Sequence, residues 1–131
     1  VSQLTCGGVC HAYPKLNFVL VESGVGWIPY LLAALDYQWL NCGAHKENPE
    51  YKLIPSEFFK RQVYLTFMKD KPGVDNRGHI GVDNIMWASD YPHSDSTWPH
   101  SQQAIEAQFG AIPAAERRKI VCDNARRLYN L

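Results

Sequence analysis

Residues 84–90 read NIMWASD, an uncharged and largely apolar run that ends abruptly in a carboxylate. Two runs of the same kind precede it in the chain, LNFVLV at 16–21 and QVYLTFM at 62–68. Their content of β-branched and aromatic residues predicts three strands, over Leu16–Val21, Gln62–Met68 and Asn84–Ser89. The first and third runs are nearly continuous in apolar residues, which is typical of strands with helices on both faces of the sheet.

Helical patterns separate these three runs. The predicted helices cover an opening segment around Cys6 and Cys10, then Pro29–Leu40, Ser56–Arg61, Ser101–Phe109 and Ala114–Tyr129. The polar segments Cys42–Lys52 and Lys69–Asp83 are predicted to be loops. Because helix and strand alternate, we expect parallel strands joined by right-handed crossovers, and the fold class is α/β.

Length and charge exclude several classes of protein. The chain has 131 residues, enough for one domain but too few for a whole TIM barrel of about 250 residues. Its 13 basic and 13 acidic residues balance, which argues against nucleic-acid or anionic-membrane partners. We interpret the basic residues of Ala114–Tyr129 as a solvated helix face. The longest uncharged stretch, Ser23–Leu35, is shorter than the roughly 18 residues of a membrane span.

The cysteines and the amino terminus indicate the cellular context. Four cysteines without CxxC spacing predict free, buried thiols in a reducing, cytoplasmic protein. The opening residues VSQLTCGG have neither the basic start nor the apolar run of a signal peptide. They also lack an initiating methionine, so we expect that an upstream part is missing.

Asp90 is the first candidate for chemistry, because reactive residues in parallel α/β proteins follow the carboxyl ends of strands. A carboxylate there can bind a divalent metal or take a proton from metal-bound water. It can equally cap the following loop. His93, Asp95 and His100 stand within ten residues of it and could add ligands or proton donors. For either histidine taken singly, a polar structural role is the favoured interpretation.

Glu22 is the second candidate, since it ends the first strand and precedes the Gly-x-Gly loop 24–26. The backbone amides of such a loop can bind an anion at a helix N-terminus, although a tight turn between strand and helix is the favoured alternative. Lys69 and Asp70 follow the second strand. The remaining histidines are interpreted as surface or structural residues; they are His11, His45 and His79.

Four segments of the chain resemble the amidohydrolase-related family, in its amidohydrolase 2 group. GGVCHAYPKLNFVLVESGVGWIPYLLAALDY is similar to that family's sixth strand region, and PSEFFKRQVYLTF to its seventh. NIMWASDYPHSDSTWPHS is similar to the eighth strand with its loop, and KIVCDNARRLYNL to the last helix. Since the family fold is a TIM barrel, the resemblance implies that residues 1–131 form a single partial domain. This domain is the C-terminal third of the barrel, with about three parallel strands and alternating helices.

The resemblance also implies a function. Members of the family are metal-dependent, usually with zinc, and hydrolyse their substrates or decarboxylate aromatic and related acids without oxidation. The chain is therefore expected to be a fragment of a hydrolase or carboxy-lyase, with a small organic acid, amide or ester as substrate. Zinc or another divalent metal is the implied cofactor. Asp90 matches the metal-binding, proton-transferring acid at the tip of the eighth strand. Glu22 replaces the usual catalytic histidine after the sixth strand. His93, which follows the third predicted strand, is added to these two residues from its position alone, and the predicted catalytic set is Asp90, Glu22 and His93.

The remaining metal ligands of the family have no counterpart in residues 1–131. These ligands are a His-x-His pair on the first barrel strand and a histidine on the fifth. We therefore expect this polypeptide alone to bind zinc weakly and to show little turnover. The competing hypothesis is a non-catalytic α/β module that self-associates through exposed sheet edges or helix faces.

Three strands cannot close a barrel, which leaves unpaired edges and predicts a homo-oligomer. The alternative is that Cys42–Lys52 and Lys69–Asp83 cover the edges and leave a monomer.

Overall fold

The computed structural model describes residues 1–131 and contains one three-stranded parallel sheet. The strands are β1 Phe18–Leu20, β2 Val63–Phe67 and β3 Ile85–Trp87, and they lie side by side in chain order. The prediction of three parallel strands is confirmed. Each strand is shorter than its apolar run, and at the start of β2 and β3 the preceding element takes the first residue. Gln62 still belongs to a helix and Asn84 to a 3-10 turn.

Helices connect and flank the strands. Their bounds are α1 Ser2–Cys6, α2 Val9–Ala12, α3 Ile28–Asn41, α4 Ala44–Glu47, α5 Pro55–Gln62, α6 Lys71–Asp75, α7 Arg77–Ile80, α8 Ser101–Phe109, α9 Ala114–Arg118 and α10 Asn124–Tyr129. A 3-10 turn at Val82–Asn84 precedes β3. A π-helical turn at Lys119–Asp123 joins α9 to α10, so the predicted helix over Ala114–Tyr129 runs unbroken.

The two predicted loops are wrong in part. Cys42–Lys52 contains the single-turn helix α4, and Lys69–Asp83 contains α6, α7 and the 3-10 turn. Helix α6 forms because the Asp70 side chain caps it, accepting a hydrogen bond from the Gly73 amide at 2.9 Å. Pro72 suits the first turn of this helix, where no backbone donor is needed.

The helices bury one face of the sheet. Along β2 the residues alternate strictly between buried and half-buried, with Val63, Leu65 and Phe67 in the main apolar cluster. Phe58 and Phe59 of α5 pack into the same cluster. The intervening residues of β2 lie on the other face of the sheet, outside this cluster. The expectation of helices on both faces is therefore wrong at β2, whereas Met86, on the same second face of β3, is buried. The half-buried face corresponds to the interior of a closed barrel.

Three buried amide side chains join the amino ends of the strands. Gln62, Asn84 and Asn124 are each at most 4% exposed, and each donates two hydrogen bonds to backbone carbonyls at 2.7–2.9 Å. The pairs are Gln62 with Tyr13 and Leu16, Asn84 with Lys60 and Val63, and Asn124 with Val82 and Ile85. Because these carbonyls lie just before or at the start of each strand, the amides fix the amino edge of the sheet.

The cysteines are all free, as the sequence predicts, but they are not all buried. Only Cys10 is fully buried, and this burial raises the pKa of its thiol against the opposing charge of Arg61. Cys42 and Cys122 are exposed. None of the helices combines the length and the apolar character that crossing a bilayer requires.

Ion pairs occupy most of the basic side chains of the terminal helix, in agreement with a solvated face. Arg117 pairs with Glu106, Arg118 pairs with Asp123, and Lys119 and Arg127 both pair with Asp83.

Candidate active site

Glu22, Asp90 and His93 meet at the carboxyl edge of the sheet. Glu22 follows β1 by two residues and Asp90 follows β3 by three. The Nδ1 atom of His93 lies 2.9 Å from Asp90 Oδ1 and 3.9 Å from Glu22 Oε1. One potential ligand atom from each residue lies within 4.8 Å of the others. Parallel strands bring these sequence-distant side chains together, since their carboxyl ends share one edge of the sheet.

The backbone at both acids is unusual. Glu22 has φ 56° and Asp90 has φ 61°, both in the left-handed region that non-glycine residues seldom adopt. Such a conformation persists where the surroundings hold it, and it concentrates at functional sites. The Glu22 amide donates to Thr66 Oγ1 at 2.9 Å. The Asp90 carbonyl accepts from the His93 amide at 3.0 Å. The Asp90 carboxylate contacts the His93 ring rather than a backbone amide, so it does not act as a loop cap.

An open cleft of about 400 Å³ lies beside these residues. Its lining residues are Glu22, Gly24, Thr66, Phe67, Met68, Lys69, Ala88, Asp90 and Asp95. Three carboxylates and one ammonium group therefore surround it. The Asp90 side chain is 18% exposed, against 57% for Glu22 and 64% for His93, so Asp90 is the most sheltered acid of the cluster. Asp95 lines the cleft outside the three-residue cluster. His100 lies directly before α8 and is in neither the cluster nor the lining.

Asp70 has a role that sequence reasoning missed. Its Oδ2 atom accepts hydrogen bonds from the Val25 and Gly26 amides at 2.6 and 2.7 Å. The hypothesis that these loop amides bind an external anion is therefore wrong, because a carboxylate of the protein already occupies them. A Cβ at Gly26 would lie 2.8 Å from Asp70 Oδ1, so this close approach requires glycine. The capping of α6 had a sequence signal, since Pro72 and Gly73 follow Asp70, whereas the hydrogen bonds from Val25 and Gly26 had none.

The whole chain, residues 1–131, matches the family described as amidohydrolase. The chain belongs to the amidohydrolase family. Over 136 aligned residues it is 29% identical to gamma-resorcylate decarboxylase from Rhizobium radiobacter. That alignment covers 98% of this chain and 38% of the relative, so the chain spans less than two fifths of the relative's length.

Solved amidohydrolase structures confirm the fold. 5-Carboxyvanillate decarboxylase from Sphingomonas paucimobilis superposes with a TM-score of 0.74 at 25% identity, covering 98% of this chain and 38% of that one. Dihydroxybenzoic acid decarboxylase from Polaromonas sp. JS666 was solved with manganese and 2-nitroresorcinol. It superposes with a TM-score of 0.72 at 28% identity, covering 98% of this chain and 38% of that one. The predicted fold, a TIM-barrel fragment with three parallel strands, is thereby confirmed. The hypothesis of a non-catalytic module finds no support among these relatives.

The donor set of the cluster suits a divalent cation. Carboxylate oxygens and one imidazole nitrogen are ligands that zinc and manganese both accept. The short reach between these atoms would let one ion contact more than one of the three residues. Asp90 combines a sheltered position with two oxygens, one of which is free of the His93 contact. The residues present therefore fit a metal at Asp90.

Proposed function

We propose that this chain forms the C-terminal part of a metal-dependent, non-oxidative decarboxylase that acts on a small aromatic acid. The meeting of Glu22, Asp90 and His93 over an open cleft is the observation that carries the proposal. The relatives compared above support it, since they include decarboxylases named for gamma-resorcylate, 5-carboxyvanillate and dihydroxybenzoic acid. Residues 1–131 are then a single partial barrel domain.

Decarboxylation needs an acid at the reacting carbon. The bond between the ring carbon and the carboxylate breaks, carbon dioxide leaves, and the electron pair stays on the ring carbon. That carbon must gain a proton in exchange. Asp90 is the most sheltered acid beside the cleft, and we assign it as the residue that delivers this proton.

His93 and Glu22 support Asp90. The exposed His93 ring lies 2.9 Å from the Asp90 carboxylate and can return a proton to it from solvent. The Glu22 carboxylate lies 3.9 Å from the same Nδ1 atom of His93, so it places a second negative charge beside this ring. A divalent cation held by Asp90, with zinc and manganese as candidates, would supply Lewis-acid binding of substrate oxygens.

Lys69 suits an acidic substrate. An anion entering this cleft meets three carboxylates, which repel it, and Lys69 is the single cationic side chain among the lining residues. We assign Lys69 to the substrate carboxylate or to a ring oxygen. The four free thiols fit a reducing compartment, and we infer that the enzyme works in the cytoplasm.

The test uses the intact enzyme that carries these residues, loaded with manganese or zinc. It is offered 2,6-dihydroxybenzoate and 5-carboxyvanillate, and carbon dioxide release is measured. We expect release with the wild type and a loss of about 10²-fold or more in Asp90→Asn, the range of general acid catalysis. Asp75→Asn is the matched control, because Asp75 is an exposed residue of α6 that pairs with Lys71.

Full activity in Asp90→Asn, or no release from any aromatic acid, would overturn the proposal. Cleavage of an aryl amide or ester without carbon dioxide release would instead assign the enzyme to the hydrolases of the family.

A further inference from the structure

We propose that Thr66 is a positioning residue that sets the Glu22 carboxylate against His93 and Asp90. The proposal rests on the catalytic role proposed above for this cluster. Thr66 lies within β2, and its Oγ1 accepts the backbone N–H of Glu22 at 2.9 Å across 44 residues of sequence. This hydrogen bond connects the residue two positions after β1 to the carboxyl end of β2, the central strand of the sheet.

Glu22 depends on such an anchor because its own side chain has none. The nearest partner of its carboxylate is His93 Nδ1, at 3.9 Å, which is beyond hydrogen-bonding distance. The direction of the carboxylate therefore follows from the backbone, which is in the left-handed region at φ 56°. A glutamate released from this conformation relaxes to the commoner regions and swings its carboxylate away from His93.

The loop is held at several points, including hydrogen bonds from Trp27 Nε1 to the Ser23 carbonyl at 2.9 Å and from Ser23 Oγ to the Leu20 carbonyl at 3.3 Å. Thr66 fixes its first residue, and Asp70 fixes the amides of Val25 and Gly26 further along. The Asp70, Ser23 and Trp27 contacts involve other residues of the loop and no backbone group of Glu22. Thr66 is thus the residue that bonds the backbone of Glu22 directly.

Two substitutions separate positioning from packing. Valine has the shape and strand preference of threonine but lacks the hydroxyl, whereas serine keeps the hydroxyl and lacks the methyl group. If Thr66 serves only the sheet, Thr66→Ser is the more damaging variant. If it positions Glu22, Thr66→Val is the more damaging one.

Steady-state kinetics of the metal-loaded enzyme test the proposal. We expect kcat to fall about fivefold to tenfold in Thr66→Val, as for one lost hydrogen bond, with KM within about twofold. Thr66→Ser should remain within about twofold of the wild type in both parameters. In a Glu22→Gln background, Thr66→Val should cause no further loss, because it acts through that side chain.

Amide hydrogen exchange supplies a readout independent of activity. Peptides covering residues 20–26 should exchange faster in Thr66→Val than in the wild type, and Thr66→Ser should not differ from the wild type. A more damaging serine variant, independent losses in the double mutant, or unchanged exchange in Thr66→Val would overturn the role of Thr66. Such a result leaves the proposed function intact if Asp90→Asn still abolishes carbon dioxide release. An enzyme inactive on every acid would overturn both proposals, even where exchange showed that Thr66 holds the loop.

Discussion

The Asp70 carboxylate accepts three backbone N–H groups, two from the loop after β1 and one from α6. It therefore substitutes for the external anion that a Gly-x-Gly turn often binds. The strand-tip rule predicts Asp90 as a site residue from sequence alone, because that rule needs only the position of the strand end. The hold of Asp70 on the loop after β1 could not be predicted, since Val25 and Gly26 lie about 45 residues away and meet it only after the strands pair.

Replacing Asp70 should destabilise the protein without changing the volume of the side chain. Asp70→Asn removes the negative charge that strengthens the three hydrogen bonds. It also replaces one acceptor oxygen by an NH2 group, which then faces a backbone N–H group. We expect the free energy of unfolding to fall by about 2–3 kcal/mol in urea denaturation. Asp75→Asn, which loses one exposed pair with Lys71, should cost at most about 0.5 kcal/mol. Equal effects of the two variants would contradict this account.

At the level of elements, periodicity located every strand and the long helices, because each buries one apolar face. It missed α6 and α7, whose formation depends on capping and on contacts with α8 and α3 rather than on an apolar stripe. Periodicity also did not predict the π-helical turn in the terminal helix. That turn precedes Asn124, which donates to the Val82 and Ile85 carbonyls at the start of β3.

Asn124 should be the most sensitive polar position of the terminal helix. Asn124→Ala leaves two carbonyls at the amino end of β3 without their donor, and we expect a loss of about 2–3 kcal/mol in the free energy of unfolding. Asn41→Ala is the matched control, because Asn41 is exposed and bonds only within its own helix. Its cost should be within about 0.5 kcal/mol. An Asn124→Ala protein as stable as the control would show that the two hydrogen bonds from Asn124 do not contribute to stability.

Acid should weaken the contact between the 3-10 turn and the terminal helix. Hydrogen bonds from Lys119 and then Arg127 hold the pKa of Asp83 below its ordinary value of 3.8. A depressed folded-state pKa contributes stability that is present above the unfolded-state pKa and is lost as the pH falls through the folded value. Asp83→Asn should therefore lower stability at neutral pH and flatten the decline below about pH 4.

Denaturation midpoints between pH 2 and 7 provide the measurement for Asp83, with the exposed Glu50→Gln as the control. Curves for the wild type and Asp83→Asn that run parallel throughout would refute the linkage. Molar salt should shrink the difference between the two proteins.

At the scale of the whole molecule, 25 of 131 residues are buried, and on the second face of β2 the residues are only half-buried. The relatives are more than twice as long as this chain. We therefore expect the 131-residue polypeptide, taken alone, to self-associate through its open sheet or its outer helices and to show little turnover.

Light scattering over a concentration series measures this association. Val19→Lys places a charge on the open face of β1 and should shift the mass toward one chain. Tyr30→Lys, on the outer side of α3, tests the helix route, since Tyr30 is 82% exposed. Gln102→Lys on α8 is the control for charge. A single-chain mass at every concentration in the unmodified polypeptide would refute the prediction.

The residues that stabilise the strands and the residues of the candidate active site lie at opposite ends of the strands. The amino edge carries Gln62, Asn84 and Asn124, whose replacement unlocks the strands, whereas the carboxyl edge carries the acids and the loops around the cleft. Substitutions that alter chemistry therefore fall where they leave the strand joints untouched. Such a separation makes the molecule evolvable. The loops after β1, β2 and β3 can be exchanged or lengthened to accept new substrates. The three amides continue to stabilise the fold during such changes.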